Sequence, residues 1–179
     1  MFAKNSRGKH APSDRDSDRN SDRDLYTAMR LMALESAQRG PISRHPDHPD
    51  VHGILVDVGQ ENGYVALSVV AGGAANLYVD ASGPVGLLEA AAAERSARLL
   101  LTTTQAYLKY FSPADDGGRP PRGTTRVHVV NTGAGRFADL PTEAFWGRAG
   151  TGHPLWPVVM KVQAVIYAIR TGGDEMPES

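Results

Sequence analysis

Residues 51–80 read VHGILVDVGQENGYVALSVVAGGAANLYVD, and the fold turns on how this stretch is divided. Val51–Val58, Tyr64–Ala71 and Ala74–Asp80 are three runs rich in β-branched and apolar residues. Such side chains suit a pleated, half-buried surface. Asn62-Gly63 lies between the first two runs, and both central residues of a type I′ turn need φ > 0, which Asn and Gly accept most easily. Gly72-Gly73 separates the second run from the third. Three strands joined by turns this short predict an antiparallel meander.

Downstream, Ser82-Gly83-Pro84 ends the meander and opens a long helix predicted over 85–111. The alanines at 90–93 favour helix intrinsically. Leu88, Ala92, Leu99 and Ala106 share one face, which Leu100, Tyr107 and Phe111 broaden. Ser112-Pro113 stops this helix, and 115–123 is a Gly/Pro loop. Thr125–Asn131 and Arg136–Leu140 predict a hairpin around Thr132-Gly133-Ala134-Gly135. A last helix is predicted over 154–170, with Leu155, Val158, Val159, Val162, Val165, Ile166 and Ile169 on its apolar face and Pro154 in its first turn.

Upstream, Leu25, Ala28, Met29, Met32 and Ser36 fall on one stripe and predict a helix over 24–38, ended by Gly40-Pro41. Residues 41–50 hold three prolines and predict an extended linker. Residues 1–23 contain a four-residue Ser-Asp-Arg unit with little apolar surface to offset the entropy of ordering. They predict a disordered charged arm, and 172–179 a disordered tail. The chain therefore reads as one α+β domain over 24–171: a five-stranded antiparallel sheet (three-strand meander, helix, hairpin, helix) packed with two or three helices.

The 179 residues carry a formal net charge of −1, which predicts neither a nucleic-acid nor an anionic-membrane partner. Apolar stretches are interrupted well before the roughly 18 residues a membrane helix requires. There is no cysteine, so thiolate chemistry and disulfides are excluded. With no apolar leader in the first 20 residues, a cytoplasmic location is expected. Abundant Ala, Gly and Arg suit a GC-rich bacterial coding sequence.

Two resemblances follow. Gly53-Ile-Leu-Val-Asp-Val-Gly59, Gly63-Tyr-Val-Ala-Leu67, Ala74-Ala-Asn-Leu-Tyr78, Gly83-Pro-Val-Gly86 and His153-Pro154-Leu155 resemble a family of small bacterial proteins of unassigned function, over about 51–170. The order of elements is similar to the profilin-like arrangement of Roadblock-type dynein light chains and bacterial GTPase regulators. That resemblance implies a non-enzymatic domain that dimerises through a helix and a sheet edge. Those domains place two strands before the central helix and three after, whereas three and two are counted here.

Several clusters could carry chemistry. His45, Asp47, His48, Asp50 and His52 offer donors for zinc or iron. In an extended chain His48 and His52 would lie roughly 13 Å apart, too far to share one ion without a kink at Pro49. The alternative is a solvated linker. Gly147–His153 leads into a helix N-terminus, where free N–H groups and Arg148 would favour an anion. Trp146 and Trp156 flank this loop, which makes Trp146, Arg148, Gly150, Gly152, His153 and Trp156 the ligand or interface candidates. Asp57, Asp80 and Glu89 read as surface charges, and Arg119, Arg122 and Arg126 as a short basic patch. No catalytic residue and no cofactor motif is read. The leading expectation is a non-catalytic interaction or regulatory module, forming a homodimer or binding a protein partner. The alternative is a small-ligand or anion-binding domain, an enzyme included, with its site at the Gly147–Trp156 loop.

Overall fold

The computed structural model describes residues 27–28, 30–32, 34–35, 44–61, 63–79, 86–87, 91–113, 118–131, 135–147 and 152–172. The arm expected over 1–23 and nearly all of the expected tail lie outside them. The strands are β1 (Gly53–Gln60), β2 (Gly63–Val70), β3 (Ala75–Val79), β4 (Gly86–Leu87), β5 (Ser112–Pro113), β6 (Thr124–Val130) and β7 (Arg136–Pro141). The helices are α1 (helical residues 27, 28, 30–32, 34 and 35), α2 (Ala91–Tyr107), α3 (Thr142–Trp146) and α4 (Trp156–Thr171), with a 3-10 turn at Leu108–Tyr110 after α2.

All strands join one antiparallel sheet in the order β4-β3-β2-β1-β6-β7-β5. The meander and the hairpin both form as predicted. The sheet nevertheless holds more than the five strands expected, because β4 and β5 add two-residue pairings at its two edges. Each gives hydrogen-bond partners to an edge that would otherwise be open. The profilin-like order is not shown: β1 lies between β2 and β6, the first strand of the hairpin.

Several boundaries move. Gln60 pairs with Gly63, so the β1–β2 connection is residues 61 and 62, one position earlier than predicted. The long helix begins at Ala91, not 85, since Gly86-Leu87 is taken up by the edge of β3. Its buried face is Ala93, Ala97, Leu100, Leu101 and Thr104, while Leu99, expected inward, is 47% exposed. The short α3 was not anticipated. Helix α4 starts at Trp156 with Pro157 in its first turn, and Gly172 in the left-handed region (φ 75°) closes it by donating to Ala168 O.

The two faces of the sheet differ. On one, Ile54, Val56, Val58, Leu67, Val69, Val127 and Val129 join α2, Phe145 of α3, and Val158, Val159, Val162, Val165 and Ile169 of α4 in the main core. On the other, Leu55 and Ala66 meet Leu34 of α1 and Tyr64 in a smaller cluster. At the entry to β1, His52 N–H bonds to Val130 O (2.8 Å) while Gly53 is paired with the same residue. Two residues thus meet one, a β-bulge, and Val51 joins the main core.

Helix α1 lies differently from its sequence pattern. Arg30 is buried, Leu34 is half-buried, and Met32 is 67% exposed. At 100° per residue, positions 30 and 32 are about 200° apart, so turning Arg30 inward turns Met32 outward.

Candidate functional site

Under α1, Arg30, Asp57 and His128 bring three buried polar side chains together. Strand β1 carries Asp57 on the α1 side of the sheet, opposite Ala66 of β2 and Arg126 of β6. His128, two residues along β6, sits on the same face as a diagonal neighbour of Asp57. Arg30 reaches down onto both. Its Nε donates to Asp57 Oδ2 (2.8 Å), and its Nη2 donates to Gly118 O (3.1 Å) and to His128 Nε2 (3.1 Å). A guanidinium has donors only, so it is the donor in each of these contacts. The contact of His128 Nε2 with Asp57 Oδ2 is 3.3 Å.

A second arginine flanks this centre. Arg126 grips Asp139 of β7 with Nε to Oδ1 and Nη2 to Oδ2, both 2.7 Å, and gives Nη1 to Gly118 O (3.0 Å). Its guanidinium also lies 4.5 Å from the centre of the Phe137 ring. Gly118 O therefore receives both arginines. The loop over 118–123 is anchored by Gly123 N–H to Gly59 O (3.1 Å) and by Tyr64 Oη to Pro120 O (3.5 Å). Arg119 lies over the Tyr64 ring and donates to Thr27 Oγ1 of α1.

The electrostatics assign a role. Asp57 is 0% exposed and would be severely destabilising without a cation, because an unpaired buried charge keeps its full desolvation cost. Breaking such a pair costs about 3–5 kcal/mol, against roughly 1.5–3 kcal/mol for burying a methionine. The guanidinium therefore wins the inward position on α1. An Asp–His pair could serve acid–base chemistry. Here its carboxylate is bound by Arg30 and sealed by α1, which makes the cluster a clasp for the helix.

The sequence-derived candidates fall elsewhere. Trp146 ends α3, is 45% exposed, and packs edge-on against Phe145 at 4.9 Å. Trp156 opens α4 and packs half-buried against the main core. His153 is exposed and used locally: its Nδ1 accepts Leu155 N–H (3.1 Å) and its carbonyl accepts Trp156 N–H (2.9 Å). Gly152 is exposed in the same turn, and Arg148 and Gly150 lie outside the described residues.

The His/Asp segment is not an extended linker over its described part. His48 N–H bonds to His45 O (3.1 Å) and Val51 N–H to His48 O (3.3 Å), giving successive turns. The rings of His45 and His48 stack at 4.5 Å, and buried His48 donates Nδ1–H to Val51 O (2.8 Å). Asp50 and Gln105 exchange two hydrogen bonds of 2.9 and 3.0 Å, tying the turn to α2. Among the described residues, no group of three or more His, Asp or Glu is placed to hold a metal ion. His52 is buried, and its Nε2 has no hydrogen-bond partner among the described residues. Burial first, then the charge of Arg44, lowers its pKa below 6.5, against the raising effect of Asp50.

Two other readings are corrected. Asp57 is not a surface charge, and Arg119 and Arg126 are engaged rather than presented as a basic patch; Arg122 alone of the three is exposed. Asp80 and Glu89 lie outside the described residues. A signal for Asp57 was present: a carboxylate inside Ile-Leu-Val-Asp-Val, apolar on both strand phases, requires a buried cation. Nothing in the spacing identifies Arg30, 27 residues earlier, as that cation.

No family model, curated protein or solved structure matches this chain.

Proposed function

We propose that this chain is a non-catalytic interaction module that associates with a second copy of itself. The observation that carries this reading is the inverted polarity of α1. Among its described residues the buried one is Arg30, while Leu31 and Met32 are 49% and 67% exposed. Apolar side chains turned outward beside one another on a helix gain free energy when a partner covers them. Sealing of the Asp57–His128 pair under the same helix supports a structural rather than a catalytic role for that pair. The Gly147–Trp156 loop, as a ligand site, gains no comparable support, since His153 is spent on its own turn. A cytoplasmic, bacterial setting belongs to the same reading.

Size-exclusion chromatography with light scattering tests it. The expected mass is twice 19.2 kDa. Leu31→Asp/Met32→Asp should return it to one chain while the far-UV circular dichroism of the parent is retained, and should abolish any dependence of the melting temperature on protein concentration. A strict monomer at every concentration overturns the reading.

A further inference from the structure

We propose that residues 44–52 form an acid-released latch, built on three histidines, that holds the entry to β1 against α2 and the end of the sheet. The proposal is independent of the self-association proposed above.

His45, His48 and His52 are three of the six histidines in the chain, and their settings disfavour charge. His45 Nδ1 accepts Asp47 N–H (3.2 Å), a bond that is lost when this nitrogen takes a proton. The His45 and His48 rings stack at 4.5 Å with their planes 5° apart, so protonating both would set like charges face to face. His52 is 3% exposed, and its Nε2 meets no acceptor among the described residues. A charged ring there would keep a cationic N–H both out of water and unpaired.

The neighbouring charges offset little of this. Asp47 Oδ2 lies 3.8 Å from His45 Nδ1, but both side chains are exposed, and such pairs contribute little. Asp50 favours a charged His52, yet its carboxylate also accepts from Gln105 Nε2, and Arg44 opposes it. One cleft brings Asp47 together with Glu94, Arg95 and Arg98 of α2, where Glu94 is paired with Arg98. On β6, His128 is engaged by Arg30.

The hydrogen bonds show what the latch holds. His48 N–H to His45 O and Val51 N–H to His48 O fold the turn, and Asp50 and Gln105 tie it to α2. His52 then joins β6 to the β2–β3 turn, through Val130 O and Ala71 N–H. Opening the latch frees His52 to take up a proton. Because its folded pKa lies below 6.5, opening gains as pH falls from 6.5 towards the lowered value, by up to about ten-fold per pH unit.

Amide hydrogen exchange of the full chain, read by NMR at about pH 8 and about pH 5 and corrected for intrinsic rate, tests this. Opening at His48, Val51, His52 and Ala71 should rise at least about five-fold at the lower pH, while Val56 and Val58 of β1 keep their protection. His52→Gln should remove most of the rise, and His45→Gln should reduce it. Should these variants fail to fold, the ring nitrogen shifts of His52 are followed in the parent chain over the same range. Protonation that accompanies opening is expected, whereas a ring that charges while these amides stay protected overturns the latch. It is equally overturned by no rise at the lower pH, by a rise that β1 shares, or by one that His52→Gln leaves intact.

Discussion

Arg30 Nε donates to Asp57 Oδ2 at 2.8 Å, and the two side chains are 7% and 0% exposed. This bond joins a helix to the central strand of the sheet. Its worth is best read from what remains when one partner is lost. Asp57→Ala leaves the buried guanidinium without its counter-charge, and Arg30→Met leaves the buried carboxylate without its own, so each should cost about 3–5 kcal/mol. Arg30→Met/Asp57→Leu, which strands neither, should lose much less than the sum. Urea unfolding of the four proteins checks this coupling.

His52 makes stability depend on pH in a defined direction. Its folded pKa is lowered from 6.5, chiefly by burial and then by Arg44. Below pH 6.5 the unfolded chain therefore takes up a proton that the folded chain refuses. The contribution is complete above 6.5 and is lost as pH falls from there towards the lowered value, by up to about 1.4 kcal/mol per pH unit. His52→Gln should flatten this part of the stability profile relative to the parent chain. An unchanged slope would show that other groups carry it.

Leu99 and Leu100 are neighbours with opposite fates on α2, 47% and 0% exposed. Leu100→Ala opens a cavity in the main core and should cost about 2–5 kcal/mol. Leu99→Ala should stay within about 0.5 kcal/mol of the parent. Denaturant midpoints at constant m-value separate the two outcomes.

Gly59 is required by close approach rather than by its backbone angles. A Cβ there would lie 2.7 Å from Pro121 O and 3.0 Å from Thr124 O, both backbone atoms that cannot swing aside. Gly59→Ala should destabilise by about 1–3 kcal/mol. It should also increase amide exchange over 118–123, because the bond from Gly123 N–H to Gly59 O anchors that loop.

The local elements were legible because their signals are local. Alternating and β-branched runs with Gly-rich turns define β1, β2, β3, β6 and β7, and the valine and isoleucine face of α4 needs no partner to be recognised. The edge strands β4 and β5 were not legible, since a two-residue pairing exists only where a neighbouring edge offers it backbone groups. The buried face of α2 was legible only in part, right at Leu100 and wrong at Leu99, for a related reason. A run rich in alanine, leucine and threonine carries weak polarity, and the sheet and α4 select which side goes in.

The clearest division falls on α1. Its sequence alone predicted a helix with Leu25, Ala28, Met29, Met32 and Ser36 on one stripe, and left open whether that helix packs on the domain. The tertiary structure packs the helix with Arg30 inward and Met32 outward, because Asp57 lies buried beneath it. A carboxylate out of water demands a cation more strongly than a methionine demands burial, and only the assembled sheet shows that Arg30 is within reach. Composition and periodicity determined which segments form helices and strands. The desolvation of one charge, visible only in three dimensions, decided how the first helix docks and which residues it leaves facing outward.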